Sequence, residues 1–152
     1  MSTGELEIRP YRSGDLDEVY ALHLASEDPS HLNILGLSKS QLRTPFWMRL
    51  ARFATQRRFI AARAGKIVGS VVTSHTTQKE AGRISSLEVR PEDRIGGIQR
   101  ALADAAIGEI RRASVDRIIA TVPFTRPDVM ETFEALGYTE TMVLVGMSKE
   151  LR

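Results

Sequence analysis

The segment spanning residues 84–113 runs from an apolar strand through a Gly-Gly turn directly into an amphipathic helix. The strand pattern ends at Val89, and Gly96 and Gly97 stand immediately before the helical spacing that begins at Ile98. The first turn of a helix carries backbone N–H groups without an internal partner and a partial positive charge, so a tight loop before it favours a bound phosphate. A simple turn is the alternative interpretation of the two glycines. The segment therefore indicates an α/β fold with a candidate anion site at the strand-to-helix junction.

The remaining periodicity predicts a mixed, mostly antiparallel central sheet flanked by helices. Short turns join the early strands, which therefore pair antiparallel, whereas the long helix that begins at Ile98 makes a parallel crossover to the next strand. The predicted strands cover residues 6–11, 59–63, 67–74, 84–89, 117–122 and 142–147. The predicted helices begin near residues 16, 45, 98 and 127, where cap residues or prolines precede helical spacing.

Composition indicates one domain over residues 1–152. A chain of this length with 42% hydrophobic residues can bury a core, and no Ser, Gly or Pro-rich linker divides it. The chain has no cysteine, which excludes disulfides, thiolate metal sites and a cysteine nucleophile, and we predict no metal site. Neither a basic leader nor a run of about 18 apolar residues is present, so we expect a cytoplasmic protein without a membrane partner.

Charge is distributed unevenly along the chain. Residues 29–79 contain no Asp or Glu but nine Lys and Arg residues. Two interpretations stay open: a solvated face whose acidic partners come from elsewhere, or a field that attracts an anionic ligand. Dispersed arginines can also bind nucleic acid, but no helix-turn-helix, zinc finger or aromatic RNA platform accompanies them, so a nucleic-acid partner is not expected.

Two short motifs resemble those of the GNAT family, the GCN5-related N-acyltransferases that bind acetyl-CoA. The run Arg94-Ile95-Gly96-Gly97-Ile98-Gln99, followed by Arg100, resembles the family's loop and first helical turn after its fourth strand. The run Phe133-Glu134-Ala135-Leu136-Gly137-Tyr138 resembles a second family segment, and both stand in the family's order. Ile95 and Gln99 depart from the pattern, which favours small residues there, although the Gln99 amide can donate a hydrogen bond if it points away from the loop.

The resemblance implies a site for acetyl-CoA as co-substrate. The pantetheine arm would lie in a gap between the strand 84–89 and the strand 117–122, bonded to backbone groups of Leu87 and Val89. The pyrophosphate would lie on backbone N–H groups of Arg94, Ile95, Gly96, Gly97, Ile98, Gln99 and Arg100.

The catalytic groups that the resemblance implies are missing from this sequence. Phe133 stands where many members have an acidic tyrosine, and Thr121 lies on the strand that elsewhere carries a glutamate base. Glu88 and His75 are the remaining candidates. Period-two alternation predicts that Glu88 faces outward, away from Leu87 and Val89, unless a bulge intervenes. We interpret His75 chiefly as a turn-flanking residue, and His23, on the apolar stripe of the first helix, as a core residue.

The sequence thus predicts an N-acetyltransferase that acts on a primary amine of a small molecule or a peptide N-terminus. An anionic, weakly basic acceptor is favoured because the predicted acceptor region is basic and no strong base is evident. His31, Trp47 and Arg49 are candidate acceptor contacts. A non-catalytic acyl-CoA-binding or sensory module is the first alternative and a basic nucleic-acid-associated domain the second, and a homodimer is left open.

Overall fold

The computed structural model describes residues 4–26, 54–76, 81–94, 97–123, 125–143 and 149. Within these ranges five strands form one sheet in the order β1-β2-β3-β4-β5. The strands are β1 (Leu6–Pro10), β2 (Ala54–Arg63), β3 (Lys66–Thr76), β4 (Gly82–Val89) and β5 (Ile118–Ala120). The helices are α1 (Leu16–Ser26), α2 (Ile98–Arg112) and α3 (Pro127–Ala135).

Strand pairing confirms the predicted mixed sheet. β1, β2, β3 and β4 pair antiparallel in chain order, and β4 and β5 pair parallel through the crossover that contains α2. β2 begins five residues before the predicted start at Phe59 because Ala54 already pairs with Thr76 at the far end of the hairpin. The predicted helix near residue 45 and most of the predicted strand 142–147 lie outside the described residues, and Met142 and Val143 have no regular secondary structure.

The sheet has two differently built faces. On the α2 face, side chains of the strands pack against α2 and α3 around fully buried Leu102 and Ile110. On the α1 face, a smaller apolar cluster joins Val19 and Leu22 of α1 to Ile60 and Ile67 of the sheet. None of the helices in the described ranges combines the length and apolar character needed to cross a bilayer.

A bulge in β4 decides which of its side chains face α2. Ser86 has a positive φ of 50°, and the pairing with β3 jumps from Val72–Ser85 to Ser70–Glu88, so two residues of β4, Ser86 and Leu87, lie opposite one of β3. The extra residue shifts the alternation. Leu87 and Val89 therefore join Ile84 in the α2-face cluster, and Glu88 projects to the α1 face.

Candidate functional site

β4 and β5, the last two strands of the sheet, separate after a short paired stretch. They pair at only three positions, and the bond from the Thr121 N–H to the Ile84 carbonyl, at 2.9 Å, is the last we find between them in the described chain. β4 continues to Val89, whereas the segment after β5 leads to α3. Because the Arg90 N–H donates to the Val68 carbonyl on β3, the alternating backbone groups of Val89 and Leu87 point away from β3. On that side of β4, called the gap below, no strand of the described residues pairs with Leu87 or Val89.

The N-terminus of α2 lies beside this gap. Gly97 precedes the helix with a φ of 75°, a left-handed conformation that glycine adopts without a steric penalty. Its carbonyl accepts the N–H of Ala101 at 2.9 Å, so the N–H groups of Ile98, Gln99 and Arg100 precede the helical hydrogen-bond ladder and are directed outward from the helix end. Ile95 and Gly96 lie outside the described residues.

The arginines of the motif are placed differently from one another. Arg94 follows the 3-10 turn after β4, and its Nε donates to the Val89 carbonyl at 3.3 Å, which brings a positive charge to the mouth of the gap. The Arg100 side chain is exposed and pairs with Asp104 one turn along α2 at 3.3 Å. Both residues line a groove of about 410 Å³ between α2 and α3.

Gln99 belongs to a hydrogen-bonded network that the sequence analysis did not predict. Its amide nitrogen donates to Asp128 at 2.6 Å, and its amide oxygen accepts from Thr132 at 3.1 Å. Asp128 also accepts two hydrogen bonds from Arg126, which chiefly holds the pKa of the Asp128 carboxyl well below its ordinary value of 3.8. Gln99 is therefore tied to α3, which confirms that its amide can donate away from the loop. The only signal in the sequence is the i, i+4 spacing of Asp128 and Thr132.

Glu88 lies on the opposite face from Leu87 and Val89, as alternation predicts, but the expectation that it faces outward is wrong because α1 covers that face. Its side chain is 1% exposed and its carboxylate hydrogen-bonds Nδ1 of His23, whose side chain is 6% exposed. The bulge at Ser86 and the packing of α1 over this face explain the burial. On the facing strand, Ser70 pairs with Glu88 and accepts a hydrogen bond from Arg58 at 2.9 Å. Burial lowers the pKa of the Arg58 guanidinium, and the Glu88 carboxylate opposes that shift.

The other candidate base and the expected acid position are unsuited to their roles as placed. His75 pairs with Gly82 at the far end of β3, five residues or about 17 Å from the position opposite Glu88. It is partly exposed, as its interpretation as a turn-flanking residue predicts. Phe133 is buried and packs edge-on against Tyr138, with ring centroids 5.1 Å apart. Burial raises the pKa of the Tyr138 phenol.

Some cations of the acid-free stretch have acidic partners elsewhere in the fold. Arg57 bonds Glu109 at 2.9 Å and Arg63 bonds Asp93 at 3.3 Å, as the solvated-face interpretation expects. His31, Trp47 and Arg49 lie outside the described residues. Across the ranges that the structure covers, no cluster of His, Asp and Glu has the composition of a metal site.

A second groove, of about 600 Å³, lies at the turn between β2 and β3, on the other side of the β4 terminus from α2. Its charges are mixed. It is lined by Glu18, Arg63, Ala64, Lys66, Val68, Arg90, Glu92 and Asp93. The Arg63–Asp93 pair neutralises part of this lining, so its field for anions is weaker than that of the α2 N-terminus.

Comparison with known proteins identifies the family. The sequence matches the profile described as the acetyltransferase (GNAT) family over residues 16–138. It is 31% identical over 90 residues to a mycothiol acetyltransferase of Thermobispora bispora, a match covering 56% of this chain and 30% of that protein. The chain therefore spans less than a third of the length of this relative.

Solved structures show the same fold at low identity. A ribosomal-protein-alanine N-acetyltransferase from Brucella melitensis superimposes with a TM-score of 0.69 at 16% identity, over 95% of this chain and all of that one. The PaiA N-acetyltransferase of Thermoplasma acidophilum, in complex with coenzyme A, gives a TM-score of 0.70 at 12% identity, over 87% of this chain and 88% of that one. With its profile match, its strand order and its gap beside a helix N-terminus, the chain belongs to the GNAT family of acetyltransferases.

Proposed function

We propose that this protein transfers an acetyl group from acetyl-CoA to a primary amine. The observation that carries the proposal is the separation of β4 from β5, which leaves backbone groups of Leu87 and Val89 facing the gap without a strand partner there among the described residues. The N-terminus of α2, which attracts anions, supplies a second feature. A ligand with an amide-containing arm and a pyrophosphate matches both features at once.

Each part of acetyl-CoA has a complementary group in this proposal. The pyrophosphate accepts hydrogen bonds from the N–H groups of Ile98, Gln99 and Arg100, and Arg94 adds positive charge beside it. The pantetheine arm extends the edge of β4 as an additional strand would, bonding backbone groups of Leu87 and Val89. The Val89 N–H then lies where it can stabilise the oxyanion that forms at the thioester carbonyl. Bound acetyl-CoA supplies the activated acetyl group.

The acceptor in this proposal is an amine on a small molecule or a peptide N-terminus. The names of the relatives support amine acetylation in general, since one acts on mycothiol and another on a ribosomal protein's alanine. The basic, acid-free stretch of residues 29–79 supports an anionic acceptor, with His31, Trp47 and Arg49 as proposed contacts. A cytoplasmic location remains a prediction from the sequence.

A non-catalytic acyl-CoA-binding module is the second candidate function. Phe133 favours it, because the aromatic side chain at the expected acid position is buried against Tyr138 and carries no proton to give a leaving thiolate. Binding without turnover over a broad amine panel would select this candidate over the enzyme.

Thermal unfolding with and without coenzyme A, followed by turnover with acetyl-CoA and an amine panel, tests the proposal. At a ligand concentration about 100 times the dissociation constant, linkage contributes roughly 2.7 kcal/mol, which should raise the melting temperature by about 5–10 °C. Gly97→Glu should abolish the shift by placing a carboxylate at the anion site. Gly65→Glu is the matched control, since Gly65 has a similar φ of 78° but lies at the β2–β3 turn. No shift with millimolar coenzyme A would contradict the proposal.

A further inference from the structure

A buried acid and a buried histidine lie on the α1 face of the strand that borders the gap. β4 directs the backbone of Leu87 and Val89 into the gap and the side chain of Glu88 to the α1 face. There the Glu88 carboxylate contacts Nδ1 of His23 on α1. The two residues are 65 positions apart in the chain, and both side chains are at least nine-tenths buried.

We propose that His23 is the proton acceptor of the acetyl transfer and that Glu88 positions it, an inference that rests on the proposed function. In this proposal the acceptor amine approaches the thioester from the α1 face of the sheet, opposite α2. The residue between Leu87 and Val89 holds His23 on that face. One glutamate side chain therefore separates the imidazole from the backbone that would hold the reacting carbonyl.

The contact with Glu88 determines which nitrogen of the His23 imidazole carries the proton. A carboxylate accepts hydrogen bonds, so Nδ1 of neutral His23 carries the proton and Nε2 carries the lone pair. The negative charge of Glu88 also stabilises the imidazolium that forms when Nε2 takes a proton, as the acid does in hydrolytic triads.

The proposed step balances without another co-reactant. The amine lone pair attacks the thioester carbonyl carbon and forms the C–N bond while Nε2 of His23 removes one proton from the amine nitrogen. The C–S bond then breaks, and the imidazolium returns that proton to the thiolate sulfur, which leaves as the thiol. This route supplies an acid as well as a base, which the phenylalanine at position 133 cannot do.

Two titratable groups from other parts of the fold lie near the pair of His23 and Glu88. Arg58 lies on β2 and Tyr11 lies between β1 and α1, and these two side chains interact electrostatically. Arg58 donates to Ser70, directly opposite Glu88, so a positive charge lies beside the Glu88 carboxylate.

Turnover against pH tests the proposal when the acceptor is an aryl or alkoxy amine that is already neutral above about pH 6. Wild-type kcat/KM should then rise with pH along one limb near neutrality, which belongs to an imidazole. His23→Gln should abolish that limb and lower kcat about 100-fold or more, with the KM for acetyl-CoA within about twofold of wild type. Glu88→Gln should lower kcat less than His23→Gln does, because the imidazole remains but loses the group that positions it.

Two further measurements separate catalysis from structure. Asp15→Asn is the matched control, because Asp15 is a buried acid at the start of α1 that binds Arg9, and its kcat should stay within about twofold of wild type. Nitrogen NMR of the wild-type imidazole should show a proton on Nδ1, which checks the tautomer even if His23→Gln fails to fold.

A folded His23→Gln enzyme with wild-type kcat and an unchanged limb would overturn the inference and leave the proposed function intact. So would an Nε2–H tautomer in the wild-type protein. A wild-type protein that binds coenzyme A but acetylates no amine would overturn the proposed function, and this inference with it.

Discussion

The two faces of the sheet are held together by different chemistry. Among the described residues, the α2 face holds one apolar cluster of thirteen buried residues, and the hydrogen-bonded polar groups described there lie at its edge, between α2 and α3. The described part of the α1 face holds four buried apolar residues and a polar centre made of His23, Glu88 and Ser70. Burying polar groups costs free energy unless each finds a partner. We therefore expect truncations on the α2 face to cost more stability, whereas the α1 face places titratable groups beside the gap.

Paired leucine truncations should show the largest difference between the faces. Leu102 of α2 and Leu22 of α1 are both fully buried. Leu102→Ala should lower the free energy of unfolding by about 4–5 kcal/mol, because the side chain packs closely on Gly69 of the sheet and its removal leaves a cavity. Leu22→Ala should cost about 2–3 kcal/mol. Denaturant unfolding measures both free-energy losses. An equal or larger loss for Leu22→Ala would contradict the difference between the two faces.

A double-mutant cycle on the polar centre should give an intermediate effect. His23→Leu leaves the Glu88 carboxylate buried without its imidazole partner and should cost about 3 kcal/mol. His23→Leu combined with Glu88→Leu removes both polar groups and should cost less than half of that, since apolar replacements of a buried pair are often tolerated. Additive losses in urea unfolding would show that the two side chains do not act as a pair.

The smallest effect should come from Asp128 and Asp15, two acids at the edges of the two faces. It should be visible as a loss of stability at low pH. Hydrogen bonds from Arg126 lower the pKa of Asp128, and hydrogen bonds from Arg9 lower that of Asp15. A lowered folded-state pKa stabilises above the ordinary value of 3.8, and that stability is lost as the pH falls through the folded-state value. Asp128→Asn should therefore remove more of the acid-induced destabilisation below about pH 4 than Asp15→Asn does. Thermal melts between pH 2 and 7 check this order, and a larger effect at Asp15 would reverse it.

Local signals in the sequence predicted much of the fold. The strand ending at Val89 and the helix beginning at Ile98 have those bounds in the structure, because alternation, turn glycines and helical spacing are encoded by neighbouring residues. The parallel crossover followed from the length of the connection.

The parts that were missed depend on contacts between distant residues. Alternation correctly separates Glu88 from Leu87 and Val89, but it cannot show that α1 covers the face of Glu88. Its partner His23 lies on another element, and the network from Gln99 to Asp128 also joins two elements. Such pairs become visible only when the elements pack together.

Amide hydrogen exchange with and without coenzyme A tests most directly whether the α2 side of β4 holds the acyl donor. We expect slowed exchange at Leu87 and Val89, whose backbone groups face the gap, and at Ile98, Gln99 and Arg100 at the start of α2. The amides of the β2–β3 turn, beside the second groove, should exchange at unchanged rates and serve as the internal control. Protection confined to that turn, or no protection at millimolar coenzyme A, would contradict the account.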